Sequence, residues 1–177
     1  MLVCPASGLI PMNISAFNFI LSFASALVLH ELGHFLAARI CRVPVTEAGL
    51  GWGRKLFGFR AKNVDYQLRA LPIGAYIRMD MKALQRRPLL QQLFVLLAGV
   101  AVNFILCGIA WGTFFGTLNL VLAVGNLFPF YQQDGWKTGM VICRRVFNRP
   151  SPLVEWSFTL SAGVLGLIAV ASAFFGY

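Results

Sequence analysis

The sequence predicts an α-helical polytopic membrane protein of about four transmembrane helices, the third one broken, with a small membrane-associated β-hairpin or sheet between the first two. Composition is the first reason: 58% of the 177 residues are hydrophobic and only 12% are charged, whereas soluble domains are typically about 25% charged. The second reason is that charged residues are absent from 1–29, 88–133 and 156–177. Because about 20 apolar residues span a bilayer, these stretches can supply four spans.

The distribution of basic residues orients these spans. The net charge is +9, and eleven of the 15 Lys and Arg residues fall between Arg39 and Arg87. Loops rich in Lys and Arg stay on the cytoplasmic side of a membrane. We therefore expect both termini outside and residues 39–87 inside. Because the charge is confined to such loops, the sequence favours a lipid bilayer and no nucleic acid as the partner of this basic chain.

The elements follow one another in a single domain of residues 1–177. They are a first span at 13–38, a cytoplasmic-side β region at 44–80, a second span at 88–115, a broken third span at 117–147 and a fourth span at 153–175.

Strand periodicity predicts the β region. Residues 64–70 alternate between apolar and polar side chains, and "LPIGA" then supplies Pro and Gly for a turn before a second strand. The preceding segment 49–59 holds four glycines and reads as another tight turn or looped strand.

The second and third spans differ in character. Pro88 suits a helix start, and the small residues of "AGVA" suit close helix packing. The third span contains Gly125, Pro129 and Gly135, which a helix cannot pass undisturbed. Irregular backbone at membrane depth is tolerated only when it is buried in protein or lines a wet cavity. We therefore expect residues 125–135 to face something polar.

The first span contains the pattern H-E-x-x-H at His30, Glu31 and His34, which are its chemically informative residues. Residues four apart on a helix lie about 40° apart in azimuth, so His30 and His34 can chelate one metal ion. Glu31 lies beside them and can take a proton from water, which is the logic of zinc hydrolases. A chance cluster is the alternative, but buried ionisable residues in a span mark function by default. The pattern predicts one Zn²⁺ ion.

A third ligand must come from elsewhere, because catalytic zinc takes three protein ligands and one water. The extended motif with a third histidine fails, since Ala37 and Ile40 occupy its Gly and His positions. Asp134 is the only carboxylate in a broken span, where an ionised side chain needs a counter-charge. We predict that Asp134 is this ligand. The alternative is that it caps a helix starting at Gly135.

Two asparagines within spans are further candidates. Asn126 shares the broken segment with Asp134, which favours a substrate-binding or oxyanion-binding role over a structural one. Asn103 is kept as a substrate-binding candidate, although a hydrogen bond between helices is the favoured reading.

Four motifs, in order, resemble the site-2 protease family of intramembrane zinc metalloproteases. "HELGH" is similar to its first-span motif, and "GLGWGRKLFGFR" with "YQLRALPIGAYIRM" resembles its glycine-rich loop and membrane-associated β-hairpin. "LAGVAVNFIL" and "NLFPFYQQDG" resemble its patterns in the second and third spans. The residues that match the family's functional positions are His30, His34 and Asp134 as zinc ligands, Glu31 as the catalytic base, and Asn126, Pro129 and Asn103 as residues that handle substrate or stand at conserved positions.

The resemblance implies an endopeptidase that cuts single-span membrane proteins or peptides within the bilayer, with regulatory partners that the sequence does not name. It implies a bacterial cytoplasmic (inner) membrane, with the active site near the cytoplasmic face. The chain resembles a minimal form, without a PDZ or CBS domain. Two alternatives stay open, namely a catalytically inactive relative that binds membrane segments and a metal carrier or transporter.

Overall fold

The computed structural model describes residues 15–129 and 132–146, together with isolated positions between 156 and 168. In chain order the elements are α1 (Ala16–Ile40), β1 (Val45–Ala61), β2 (Val64–Met79), α2 (Met81–Gln85), α3 (Leu89–Ile109), α4 (Phe114–Leu127) and α5 (Asp134–Val146).

Two of these helices, α1 and α3, are long and apolar enough to cross a membrane, and α4 is a shorter apolar helix. These helices support a membrane protein. The predicted fourth span at 153–175 lies outside the continuously described residues, where only isolated helical positions are described.

Helix α1 has one buried face, which carries the two histidines among small residues. The Ser15 hydroxyl accepts a hydrogen bond from the Asn18 amide at 3.3 Å and so caps the first turn. The buried residues recur at helical spacing, which directs one face of α1 toward α3. They are Ala26, His30, Gly33, His34, Ala37 and Ala38.

The predicted break in the third span falls between the end of α4 at Leu127 and the start of α5 at Asp134. The helix continues through Gly125 and Asn126, which the sequence analysis placed in the break, because both residues can remain in a helix at modest cost. It ends before Pro129, which disfavours helical backbone at Phe128. Phe128 accordingly has φ −62° and ψ 143°. The next helix starts at Asp134 itself.

The sheet is a bent antiparallel hairpin of β1 and β2. Lys62 and Asn63 close it with φ of 47° and 65°, as a tight hairpin turn of this type requires. Leu50 lies opposite both Leu68 and Ala75, so residues 47–50 run between the two halves of β2. The predicted turn at "LPIGA" is therefore where β2 crosses from one side of β1 to the other. The glycine-rich segment 49–59 is part of β1.

The hydrophobic core joins the C-terminal end of α1 and the N-terminal half of α3 to the base of the sheet. Its fully buried members include Val43, Val64, Leu84 and Val95. The short helix α2 contributes Leu84, and the Asp80 carboxylate caps that helix by accepting from the amides at positions 82 and 83. This core anchors the sheet beside α1.

A polar network stabilises the face of the sheet that carries Glu47. The Tyr76 hydroxyl donates to the Glu47 carboxylate, Arg78 Nη1 lies 3.2 Å from it and Arg69 Nη2 lies 3.4 Å from it. These contacts hold the pKa of Glu47 below its ordinary value, with the Tyr76 hydrogen bond as the largest cause. The network ties β1 to β2 across their bend.

Candidate metal centre

Donor atoms of three predicted ligands meet at one point between α1 and α5. Asp134 Oδ2 lies 3.0 Å from His30 Nε2 and 2.9 Å from His34 Nε2, and the two Nε2 atoms are 3.2 Å apart. All three residues are buried. They are the sole group of this kind found among the described residues.

This triangle fits a tetrahedral zinc ion. With metal–ligand distances of about 2.0–2.1 Å, tetrahedral ligands are separated by about 3.3 Å, and the observed separations of 2.9–3.2 Å are close to that value. Two imidazoles and one carboxylate form a donor set that zinc hydrolases use with the fourth position open. The residues present therefore fit one zinc ion.

Helix α3 orients the histidines, although it supplies no ligand. His34 Nδ1 donates to the Val95 carbonyl oxygen at 2.8 Å, which fixes the tautomer whose Nε2 lone pair faces the centre. Gly99 faces both rings, and a Cβ atom there would lie 2.7 Å from His30 Nε2 and closer still to His34 Nε2. The glycine is thus required for the imidazoles to approach α3.

The first turn of α5 positions the carboxylate. Any side chain at Gly135 would collide with the Leu127 carbonyl oxygen at the end of α4, so the glycine lets α5 begin directly against α4. Asp134 keeps Oδ2 toward the histidines, and Lys137 Nζ lies 3.1 Å from its Oδ1. Lys137 therefore occupies the carboxylate oxygen that the histidines leave free.

Glu31 borders a cavity of about 440 Å³ between α1 and the sheet. It follows His30 and precedes His34 by one turn, so it neighbours both ligands on the helix surface. The cavity wall is otherwise largely apolar. Its lining includes Leu32 and Phe35 from α1, and Leu50, Phe57 and Phe59 from β1. A carboxylate at the edge of an apolar groove is the arrangement expected for a proton-transfer group.

No hydrogen bond in the described part of the chain joins the other predicted residues to the donor triangle. The Asn126 amide donates to the Leu122 carbonyl oxygen of its own helix at 2.9 Å, and Pro129 lies in the link between α4 and α5. Asn103 is fully buried in α3. No contact that assigns a substrate role to any of the three is present among the described residues.

Sequence reasoning overlooked three contributors to the centre. Gly99 was read only as part of a small-residue packing surface, and nothing singled out Lys137 or the Val95 carbonyl oxygen. Lys137 could have been found from the sequence, because it lies one helical turn after Asp134. The role of a backbone carbonyl leaves no trace in the sequence.

A family comparison connects this geometry to known proteins. The model of Peptidase family M50, the site-2 protease family, matches residues 18–115, which include the two histidines, Glu31, the sheet and α3. This is more than half of the chain. The chain belongs to peptidase family M50. Asp134 lies beyond the matched residues, so its assignment as a ligand depends on the geometry.

Individual relatives of this M50 chain also carry metalloprotease names. A Clostridium acetobutylicum protein whose name calls it a zinc metalloprotease is 37% identical over 98 residues, covering 51% of this chain and 29% of its own length. The membrane metalloprotease ARASP of Arabidopsis thaliana chloroplasts is 32% identical over 128 residues, covering 65% of this chain and 28% of its own length. This chain thus spans under a third of each of these relatives.

Proposed function

We propose that this M50 chain is an intramembrane zinc endopeptidase, which hydrolyses peptide bonds within or near transmembrane segments of other membrane proteins. The observation that carries the proposal is the meeting of His30 Nε2, His34 Nε2 and Asp134 Oδ2 within 3.2 Å of one another. Glu31 adjoins this triangle and borders the cavity. Family membership supports the same chemistry.

His30, His34 and Asp134 would hold one Zn²⁺ ion. A zinc ion in such a site polarises a carbonyl oxygen and makes its bound water acidic near neutral pH. Glu31 is the general base, because its carboxylate can take a proton from water and later give it to the leaving amine. Lys137 and the Val95 carbonyl oxygen keep the ligands oriented.

The substrate in this proposal is an apolar segment in an extended conformation, because a helix shields its peptide bonds. The apolar cavity suits the side chains of a transmembrane segment. Residues 75–79 of β2 pair with β1 on one side, and Ala75 and Ile77 line the cavity. That edge can accept a substrate strand by β-addition. Asn126 and Pro129, at the end of α4, are proposed to contact the same segment.

The proposed location is a bacterial inner membrane with the centre near the cytoplasmic face. Arg39, at the end of α1, and Arg42, just beyond it, come five and eight residues after His34, and Lys and Arg mark the cytoplasmic end of a span. Arg54→Cys places a thiol at an exposed position of β1, and labelling of this variant above the wild-type level by a membrane-impermeant thiol reagent in inside-out vesicles, but not in intact cells, would support this orientation.

The test compares purified wild type with Glu31→Gln. We expect both proteins to bind one zinc ion per chain, and only the wild type to cleave a single-span membrane substrate. Cleavage by Glu31→Gln would contradict the assigned base. Zinc binding by a wild type that cleaves no substrate would favour an inactive relative or a metal carrier, and absence of zinc from the wild type would refute the metal centre.

A further inference from the structure

Three buried side chains on α1, α3 and α4 are among those that carry polar atoms without a hydrogen-bond partner in the described part of the chain, and Thr138 on α5 is another. The atoms of these three side chains are His30 Nδ1, both amide atoms of Asn103 and Asn119 Oδ1. Asn103 and Asn119 are each 0% exposed. An unsatisfied buried polar group costs about 1–3 kcal/mol, and native proteins leave few of them. The three side chains therefore call for a common explanation.

The register of α1 and α3 places Asn103 one helical turn beyond the level of His30. His34 Nδ1 contacts the Val95 carbonyl oxygen at 2.8 Å, and a Cβ at Gly99 would lie 2.7 Å from His30 Nε2 and Cε1. The two helices therefore run in opposite directions, with His34 level with Val95 and His30, one turn earlier on α1, level with Gly99, one turn later on α3. Asn103 occupies the next turn of α3 on the same face.

The Cε1–Nε2 edge of the His30 ring faces α3, because both atoms would lie 2.7 Å from a Cβ at Gly99. Nε2 also lies 3.0 Å from Asp134 Oδ2, and Nδ1 is the remaining ring nitrogen, bonded to Cε1. If Nε2 binds a metal ion, Nδ1 must carry the proton and act as a donor. Ala26, one turn before His30 on α1, is fully buried and small, which leaves room for the Asn103 amide.

Helix α4 brings a matching acceptor to the other side of Asn103. A Cβ at Gly116 on α4 would lie 3.4 Å from the Cys107 carbonyl oxygen on α3, so these two residues face each other. The helices run in opposite directions, so Asn119, about one turn after Gly116, faces Asn103, about one turn before Cys107. The Asn119 amide nitrogen already donates to the Phe115 carbonyl oxygen at 2.8 Å. Its Oδ1 is left to accept.

We infer that Asn103 is a positioning residue for the metal ligand His30. Asn103 is in direct hydrogen-bond contact with neither His30 nor Asn119. One bridging water therefore links His30 Nδ1–H to the Asn103 Oδ1 acceptor, and a second links the Asn103 Nδ2 donor to Asn119 Oδ1. Each of the four polar atoms then has one partner, and the chain ends on the Phe115 backbone carbonyl through Asn119. A partner at Nδ1 fixes the tautomer of a ligating histidine and raises its basicity. This inference rests on the proposed function, because it requires His30 to be a ligand.

The experiment measures zinc affinity by competition with a chromophoric chelator, using the purified chain of residues 1–177. Asn103→Leu keeps the size of the side chain and removes its hydrogen bonds, so we expect zinc affinity to fall about 10–100-fold. Asn103→Asp keeps an acceptor for His30 and is expected to restore affinity to within about threefold of wild type. A merely structural role would not give this rescue.

Gln92→Leu is the matched control. It removes an amide from the same helix, but that amide donates to the Gln85 and Arg87 carbonyl oxygens, at the far end of α3 from Asn103. We expect Gln92→Leu to bind zinc as the wild type does.

Unchanged zinc affinity in Asn103→Leu would overturn the inference, as would an equal loss in Gln92→Leu. If Asn103→Leu does not fold, Asn119→Leu breaks the next link and must still bind zinc more weakly than Gln92→Leu. A wild type that binds no zinc would refute the proposed function instead. If only the inference fails, the wild type binds zinc and the Asn103 variants bind it with the same affinity as the wild type.

Discussion

Adding one methyl group at Gly99 tests whether helix spacing sets the geometry of the metal centre. A Cβ there would lie 2.7 Å from His30 Nε2, while ordinary contact begins at 3.4 Å, so the ring or the helix must move by about 0.7 Å. The closer contact with His34 Nε2 requires more. Zinc sites tolerate about ±0.2 Å in ligand distance, so neither histidine can keep its bond without a further rearrangement.

We therefore expect Gly99→Ala to lower zinc affinity by at least about tenfold, the scale of a disturbed ligand orientation. Overpacking should also lower the free energy of unfolding by about 1–3 kcal/mol. Chelator competition measures the first effect, and thermal unfolding of the metal-free protein measures the second. Proteolytic activity should fall together with zinc occupancy and return in part at high zinc concentration.

Gly108→Ala is the control on the same helix, because a Cβ at Gly108 meets nothing within 4 Å. It should bind zinc normally, and the better helix propensity of alanine should leave the stability unchanged or raised by up to about 1 kcal/mol. If Gly99→Ala binds zinc as tightly as Gly108→Ala does, the argument that α3 positions the histidines by close approach is incorrect.

Three further predictions concern charge and metal. Lys137→Met should weaken zinc binding by up to about tenfold, because Asp134 Oδ1 loses its partner at 3.1 Å. Lys137→Arg keeps a cation beside that oxygen and should bind zinc as the wild type does. Equal zinc affinities of the two variants would contradict a role of Lys137 in orienting Asp134. Tyr76 and the neighbouring arginines hold the pKa of Glu47 below the usual 4.5. The Glu47 carboxylate therefore stabilises the folded protein above pH 4.5, and this stabilisation is lost as pH falls through the lowered folded-state pKa. The unfolding midpoint of Glu47→Gln should thus depend less steeply on pH below that value than the wild-type midpoint. Removing zinc with a chelator should abolish cleavage and lower the free energy of unfolding by about 2.7 kcal/mol relative to zinc at 100 times its Kd, which calorimetry or thermal unfolding would measure.

Local spacing accounts for the part of the centre that the sequence predicts. His30, Glu31 and His34 are fixed relative to one another by helix periodicity, and no knowledge of the tertiary structure is needed to place them together. Asp134 was found by a different argument, namely the cost of a charge in a broken apolar span. In the structure Asp134 lies 104 residues from His30 in sequence and 3.0 Å from it in space.

Contacts that depend on helix register could not be predicted in this way. Gly99 and the Val95 carbonyl oxygen act through their level on α3 relative to α1, which no periodicity within either helix reveals. The sheet shows the same limit, because alternation in 64–70 predicts a strand but not that Leu50 lies between Leu68 and Ala75. Asn126 illustrates a local error, since its polar side chain suggested unwound backbone although it bonds within α4.

Close helix packing and metal geometry have the same origin in this chain. Transmembrane helices associate without a hydrophobic driving force, so small residues at their contacts are needed for close packing. A Cβ at Gly33 would lie 2.8 Å from the Ala98 carbonyl oxygen, so α1 and α3 are in contact beside the histidines. Gly99 lets α3 approach the two imidazole rings, and Gly135 lets α5 begin against the Leu127 carbonyl oxygen of α4. A side chain at Gly33 or Gly135 would meet backbone and one at Gly99 would meet the rings, so a substitution at any of the three glycines must move a helix or a ring, even though no glycine supplies a ligand.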